Sequence, residues 1–190
     1  MIKKMLLFLF CLCVGTSVGT YTAFQLITHG LKADTFQKGP WKTWHEIGKP
    51  SVDPYTQAKL VIHKWLPGSA FETLYFLSSQ DETGETLNPK CTYLVAGGEI
   101  KSENWSLSVY QKEAALKAQD PHVFSVNSES ILRDKAGNWN IQISPNTGSG
   151  NNIINDKNDS YTLILRLNSF TQKKLDENFG PLPSIKKVAC

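Results

Sequence analysis

Asn104-Trp105-Ser106-Leu107-Ser108-Val109-Tyr110 alternates large apolar and small polar side chains without a break. Successive side chains of an extended strand point to opposite faces, so Trp105, Leu107 and Val109 share a core face while Ser106 and Ser108 share an open one. The period of two returns in Tyr161-Thr162-Leu163-Ile164-Leu165-Arg166-Leu167. It returns again in Trp139, Ile141 and Ile143, which follow the polar turn Asp134-Lys135-Ala136-Gly137-Asn138, where Gly137 can take the positive φ of a short hairpin loop. Residues 71–78 differ, being apolar on both faces: Phe71, Tyr75 and Leu77 on one, Leu74 and Phe76 on the other. That is the mark of a central, covered strand. Residues 91–96, 123–126 and 130–133 also read as extended, with a short helix at 113–118. Strands at this spacing predict a mainly β domain, an antiparallel, jelly-roll-like β-sandwich.

Outward from the strands the pattern changes twice. Asp53 and Pro54 form an N-cap and first-turn pair, and Tyr55, Ala58, Val61, Ile62, Trp65 and Leu66 then recur at helical spacing until Pro67-Gly68, which predicts one amphipathic helix at the start of a domain spanning 53–190. Residues 29–52 carry Gly30, Gly39, Pro40, Gly48 and Pro50, which suggests a linker strapped on the domain surface by Trp41 and Trp44. Residues 145–159, rich in Asn, Gly and Asp, read as a long loop.

Residues 1–28 read as a signal anchor or a signal peptide. Lys3 and Lys4 precede 23 uncharged residues, 5–27, a length that can cross a bilayer as a transmembrane helix. Apolar character continues through Val18, Tyr21, Phe24 and Ile27 with no Ala-x-Ala site, which favours an uncleaved anchor; Ser17 and Gly19 keep cleavage after Gly19 open. Either way the bulk of the chain is exported. Phe10 and Leu12, before Cys11 and Cys13, disfavour a lipoprotein signal.

Lys and Arg number 20 against 17 Asp and Glu, and with Lys3 and Lys4 set aside the rest is nearly neutral. The basic residues cluster no further than pairs such as Lys173-Lys174, so nucleic acid is not an expected partner. Export gives Cys91 and Cys190 an oxidising setting, and a disulfide between them is expected, with two unpaired thiols as the alternative. No ligand-spaced His, Asp or Cys accompanies either, so no metal is expected.

Serine-elbow, zinc, phosphate-loop and dinucleotide motifs are absent from the sequence, and His29, His45, His63 and His122 are scattered. No catalytic residue and no cofactor is therefore assigned. Glu72 and Arg166 are the charges placed least comfortably on strands, first as a buried pair and second as an acid or anion site. Trp41, Trp44, Trp65 and Tyr110 offer an aromatic platform for a sugar or lipid, against the plainer use as core or strap residues. Asp81 and Asp134, each ahead of a Gly, suit turn chemistry better than Ca2+.

The chain resembles the bacterial domain of unknown function 1214 family over residues 39–190. The resemblance is carried by Trp41 to Trp44, Asp53-Pro54-Tyr55, Leu66-Pro67, Glu72 with Tyr75-Phe76, Asp81 to Leu87 around Gly84, and Cys91-Thr92-Tyr93. Further along it rests on residues 105–110, Ile141-Gln142-Ile143-Ser144, Leu165-Arg166-Leu167, and Leu182-Pro183-Ser184-Ile185 with Cys190. It implies a β-rich sandwich in an exported or membrane-attached envelope protein, and brings no catalytic residues. Asn151-Asn152-Ile153-Ile154 stands where members often have Asn-Trp-Leu-Pro, and Asn168 where they often have an aromatic, so a family ligand site in that loop would be altered here. The expectation is a single-pass protein of the bacterial inner membrane with its C-terminal domain in the periplasm, or one secreted there after cleavage near Gly19. It would bind an envelope protein, lipid or saccharide without catalysis; an envelope hydrolase or saccharide-processing enzyme with a fold-assembled site is the alternative.

Overall fold

The computed structural model describes residues 2–29, 35–44, 53–62, 73–102, 104–111, 125–146, 148–168 and 180–190. The chain divides into two compact units, one of Met1–Ala33 with Pro50–Leu66 and one of Asp34–Lys49 with Pro67–Cys190.

The first unit is helical. Helix α1 (Ile2–His29) holds an apolar stretch, Ile2–Ile27, with none of its most hydrophobic window buried in the protein. At about 1.5 Å per residue this stretch is roughly 39 Å long, more than the ~30 Å hydrocarbon thickness of a bilayer. Its polar side chains do not oppose that environment, because the Thr16, Thr20 and Thr22 hydroxyls donate to the carbonyls of Leu12, Thr16 and Val18 one turn earlier. The helix is thus compatible with a signal anchor or membrane span. Helix α2 (Pro54–Ile62) starts where the sequence places it: Asp53 Oδ1 accepts from the N–H groups of Tyr55 and Thr56, both at 3.0 Å. Residues 63–66 lie outside the described residues.

The second unit is a two-sheet β structure. Its strands are β1 (Thr35–Lys38), β2 (Trp41–Trp44), β3 (Thr73–Ser78), β4 (Thr92–Gly97), β5 (Asn104–Gln111), β6 (Ser125–Asn127), β7 (Trp139–Ser144), β8 (Asn152–Ile154), β9 (Tyr161–Asn168) and β10 (Ser184–Ala189). One sheet runs β1-β2-β3-β9-β5-β6 and the other β10-β4-β7-β8. All neighbours are antiparallel except β7 and β8, so the second sheet is mixed where a fully antiparallel one was expected.

Three expectations need correction. Residues 35–44, read as linker, are a hairpin at the edge of the six-stranded sheet; Gly39, at φ +60°, with Pro40 forms its two-residue loop. The loop 145–159 contains β8, whose Ile153 is fully buried. Residues 130–133 form no strand. The short helix expected at 113–118 lies outside the described residues.

The inner faces of both sheets form one core. Phe76, Leu165 and Leu107 stand side by side on β3, β9 and β5, and belong to the same cluster as Val95, Ile141, Ile143 and Ile185 of the other sheet. Burying each such side chain contributes about 1.5–3 kcal/mol. Trp105 and Trp139 stack across the sheets at 4.7 Å between ring centroids, and Trp41 Nε1 donates to the Pro183 carbonyl at 2.6 Å. The opposite face of β3 and β9 is also covered, with Leu77 and Ile164 only 6% and 3% exposed. Ser108 beside them is buried too, so the face of β5 expected to be open is closed at that point.

A Cys91–Cys190 disulfide fastens the end of β10 to the start of β4, as expected. By the loop-entropy account, closing this loop of about 100 residues is worth up to ~4.7 kcal/mol. The outer edge of β10 is partly covered as well, since Glu82 N–H donates to the Ile185 carbonyl and Lys187 pairs with Glu85.

Candidate functional site

Arg166 sits on the outer face of the six-stranded sheet in one cross-strand row with Tyr75 and Ser106. Its guanidinium carbon is 5.9 Å from the centre of the Tyr75 ring, a cation–π contact. Glu72, its expected partner, lies outside the described residues. Trp41 is 1% exposed and faces the core, its indole N–H spent on Pro183. Tyr110 is half-buried on the other side of the same sheet, so these two aromatics share no platform. Trp44 gives its backbone to β2, but its side chain, like Trp65, is outside what is described.

The two turn aspartates hold their own loops. Asp81, 2% exposed, accepts through Oδ1 from the N–H and hydroxyl of Thr83 and from Glu85 N–H. Burial works to raise its carboxyl, but those hydrogen bonds and the charge of Lys187 outweigh it and hold it below the usual carboxylate range. Asp134 Oδ1 accepts from Ala136 and Asn138 N–H, both at 2.8 Å, around Gly137 at φ +81°. The Asn138 bond is the chief reason its carboxyl is held low. Among the described residues no three His, Cys, Asp or Glu side chains stand together as a metal site.

A concave surface with a built architecture lies on the outer face of the four-stranded sheet. Tyr93, Val95, Ile141 and Ile143 point into the core, so the alternation turns Leu94, Ala96, Asn140 and Gln142 outward. In register, Leu94 is opposite Gln142 and Ala96 is opposite Asn140, and these four make the floor of a groove of about 720 Å3. A wall is raised along it by residues 132–134 and 149–151. Asn151 fixes that wall: its Oδ1 accepts from Leu132 N–H, and its Nδ2 donates to the carbonyls of Leu132 and Asn140, at 2.8–2.9 Å. Leu132 is left 65% exposed at the lip.

At one end Gly97 is opposite Trp139 in the ladder, where a Cβ would come within 2.6 Å of the indole. Trp139 is thereby tucked under the floor, with its Nε1 donating to the Gly98 carbonyl. The groove's charged residues stand on its wall, where Arg133 Nη1 donates to the Gly137 carbonyl and Asp134 holds the loop. The amides of Asn140 and Gln142, by contrast, have no intramolecular partner among the described residues. Sequence reasoning singled out none of this floor; its only signal was the polar half of the β7 alternation.

A profile for proteins of unknown function, DUF1214, matches residues 72–172. No curated protein matches the chain. Among solved structures, a Vibrio parahaemolyticus protein is 20% identical with a TM-score of 0.56, the match covering 92% of this chain and 44% of that one. The chain thus spans less than half the length of that protein, and at this identity the likeness shows a shared fold. An uncharacterized Burkholderia cenocepacia protein is 14% identical with a TM-score of 0.41, over 61% of this chain and 29% of that one. The profile match runs from the approach to β3 to just past β9 and takes in seven of the ten strands, β3 to β9, with the Cys91 half of the disulfide and the whole groove floor, more than half of the sequence: the chain belongs to the DUF1214 family.

Proposed function

We propose that this protein is a membrane-anchored binding module of the bacterial envelope, held in the inner membrane by residues 5–27 with its β unit in the periplasm. In this reading the groove on the four-stranded sheet holds a ligand without transforming it. The apolar α1 behind Lys3 and Lys4 supports the anchor, and the Cys91–Cys190 disulfide supports an oxidising compartment. The observation that carries the binding role is the pair of unengaged amides, Asn140 and Gln142, on a floor fixed by ladder hydrogen bonds and by the Asn151 bracket. Acid–base chemistry needs a side chain that can exchange a proton in reach of the ligand, whereas the groove lining offers amides, the guanidinium of Arg133 and a carboxylate already tied to its own turn. The reading calls for no cofactor.

Thermal unfolding of the full chain, in a detergent without a sugar headgroup, tests it against peptides, oligosaccharides, fatty acids and phospholipid headgroups. A ligand of the groove raises the midpoint of the native protein and not that of an Asn140→Ala/Gln142→Ala variant. A shift retained in that variant removes the groove from the account, and turnover of any compound replaces binding with catalysis.

A further inference from the structure

Resting on the groove as the ligand surface, we propose that its ligand is a neutral saccharide chain. The backbone N–H and C=O groups of β4 and β7 are consumed in their mutual ladder and in those to β10 and β8. An extended peptide therefore cannot add to this floor as a strand, and whatever binds on the floor is read by its side chains. The readers are amides. Asn140 and Gln142 stand two residues apart on one strand, roughly 7 Å along it. Each offers two donors and an acceptor, which matches hydroxyl groups that both give and take a proton.

Charge argues in the same direction. Arg133 and Asp134, the ionised residues of the lining, bring opposite signs and stand on the wall, Asp134 tied to its own turn and Arg133 giving one N–H to the Gly137 carbonyl. Lys186 shares the outward row with Leu94 but is on β10 and not in the lining. A phosphate, a lipid headgroup or a carboxylate thus meets no free cation on the floor, and an uncharged polar ligand meets no repulsion. Leu94 and Ala96 on the floor and Leu132 at the lip supply apolar contact for the C–H faces of sugar rings. Trp139, the aromatic residue of the lining, has its indole turned into the core against Trp105, so ring stacking is missing and the affinity is weak, about millimolar.

The test is saturation-transfer NMR on the full chain in the same sugar-free detergent. The probes are maltotetraose and tetra-N-acetylchitotetraose, compared with inorganic phosphate, tetra-alanine and phosphatidylglycerol vesicles. The expected result is transfer to the ring protons of a saccharide, unchanged between about 50 and 500 mM salt. Binding falls at least about tenfold in Asn140→Ala/Gln142→Ala, which removes two exchangeable hydrogen-bonding groups from an outward face while leaving the fold intact. A Lys135→Ala control, also exposed, keeps native binding. If phosphate, the peptide or the vesicles bind through Asn140 and Gln142 and the saccharides do not, the saccharide assignment is overturned while the groove stands. If nothing depends on those two residues, both fail.

Discussion

The outer faces of the two sheets have opposite fates. On the six-stranded sheet the row Leu77, Ile164 and Ser108 is closed off from solvent, and its neighbour Tyr75, Arg166 and Ser106 is half-buried. On the four-stranded sheet the corresponding face carries Leu94, Ala96, Asn140 and Gln142 and remains accessible in a groove. One sheet is thus buried on both sides around β3 and β9, while the other keeps one side for the core and one for solvent. The accessible face is also the one locked by the disulfide. Rigidity there comes from covalent closure and a side-chain bracket, since the burial on both sides that holds the other sheet is lacking.

The largest effect expected follows from that difference. Replacing both cysteines, Cys91→Ala/Cys190→Ala, lowers unfolding stability by about 2–5 kcal/mol. Hydrogen exchange localises the loss, with β10 and β4 opening first and β3 and β9 keeping their protection. Equal loss of protection in both sheets would erase the proposed distinction. In intact cells, maleimide labelling of these two cysteines only after reduction checks that the bond forms in place.

Substitutions on the two faces sharpen the contrast. Ile164→Ala, although on the face away from the sandwich core, costs as much as a core truncation, about 2–5 kcal/mol. Leu132→Ala at the groove lip, 65% exposed, changes stability by less than about 0.5 kcal/mol. Chemical denaturation of the two variants decides it, and a cost for Ile164→Ala as small as that of Leu132→Ala would mean that the outer face of the six-stranded sheet contributes nothing.

A third effect is smaller and depends on pH. Asp81 is held below its ordinary carboxyl range, so the folded protein favours its ionised form. Its contribution is complete above the unfolded value near 3.8 and disappears as pH falls through the lower folded value. At neutral pH, Asp81→Asn weakens the Thr83 and Glu85 hydrogen bonds and costs about 1–3 kcal/mol, and the penalty shrinks in acid. An undiminished penalty below pH 3 would show that the amide fails for steric reasons instead.

Much of this fold was legible in the sequence, because β5, β7 and β9 each carry six to eight residues with a period of two, interrupted in β9 only by Ile164. The hairpin β1–β2 was not, since four-residue strands are too short to show a period, and Gly39-Pro40, read as linker punctuation, is the hairpin loop itself. Strand β10 hides for another reason: of Ser184-Ile185-Lys186-Lys187-Val188-Ala189 only Ile185 is buried, so an edge strand resembles a polar tail. Strand β8 is three residues in a polar stretch, paired parallel to β7 at a separation of ten positions, too short a strand to show a period. The groove was the least legible feature. Asn140 and Gln142 are ordinary as the solvent half of an alternating strand, and they acquire a wall only when Asn151 clasps Leu132 across 19 positions. Of the expected aromatic platform, Trp41 and Tyr110 are separated, because Trp41 turns inward to the core and Tyr110 lies on the outer side of the same sheet.

The smallest effect tests the core between the two faces. Tyr161 opens β9 on its inward side, and its hydroxyl, buried, has no hydrogen-bond partner among the described residues. Burial first, and the neighbouring Tyr93 second, push its ionisation well above the ordinary phenol range. A hydroxyl taken out of water without a partner opposes folding, so Tyr161→Phe leaves stability unchanged or raises it, by up to about 1 kcal/mol. Tyr93→Phe behaves oppositely, because the Tyr93 hydroxyl accepts from Asn88 N–H at 2.9 Å and its loss leaves that donor unpaired. The folded state favours the neutral Tyr161 phenol, so its contribution is whole below the unfolded value near 10 and is lost as pH rises towards the folded one. Absorbance titration of the native protein should therefore show Tyr161 silent at pH 10, with its signal appearing only on alkaline unfolding. A marked loss of stability in Tyr161→Phe would mean that the hydroxyl is hydrogen-bonded after all and that this end of the sandwich is a polar junction between the sheets.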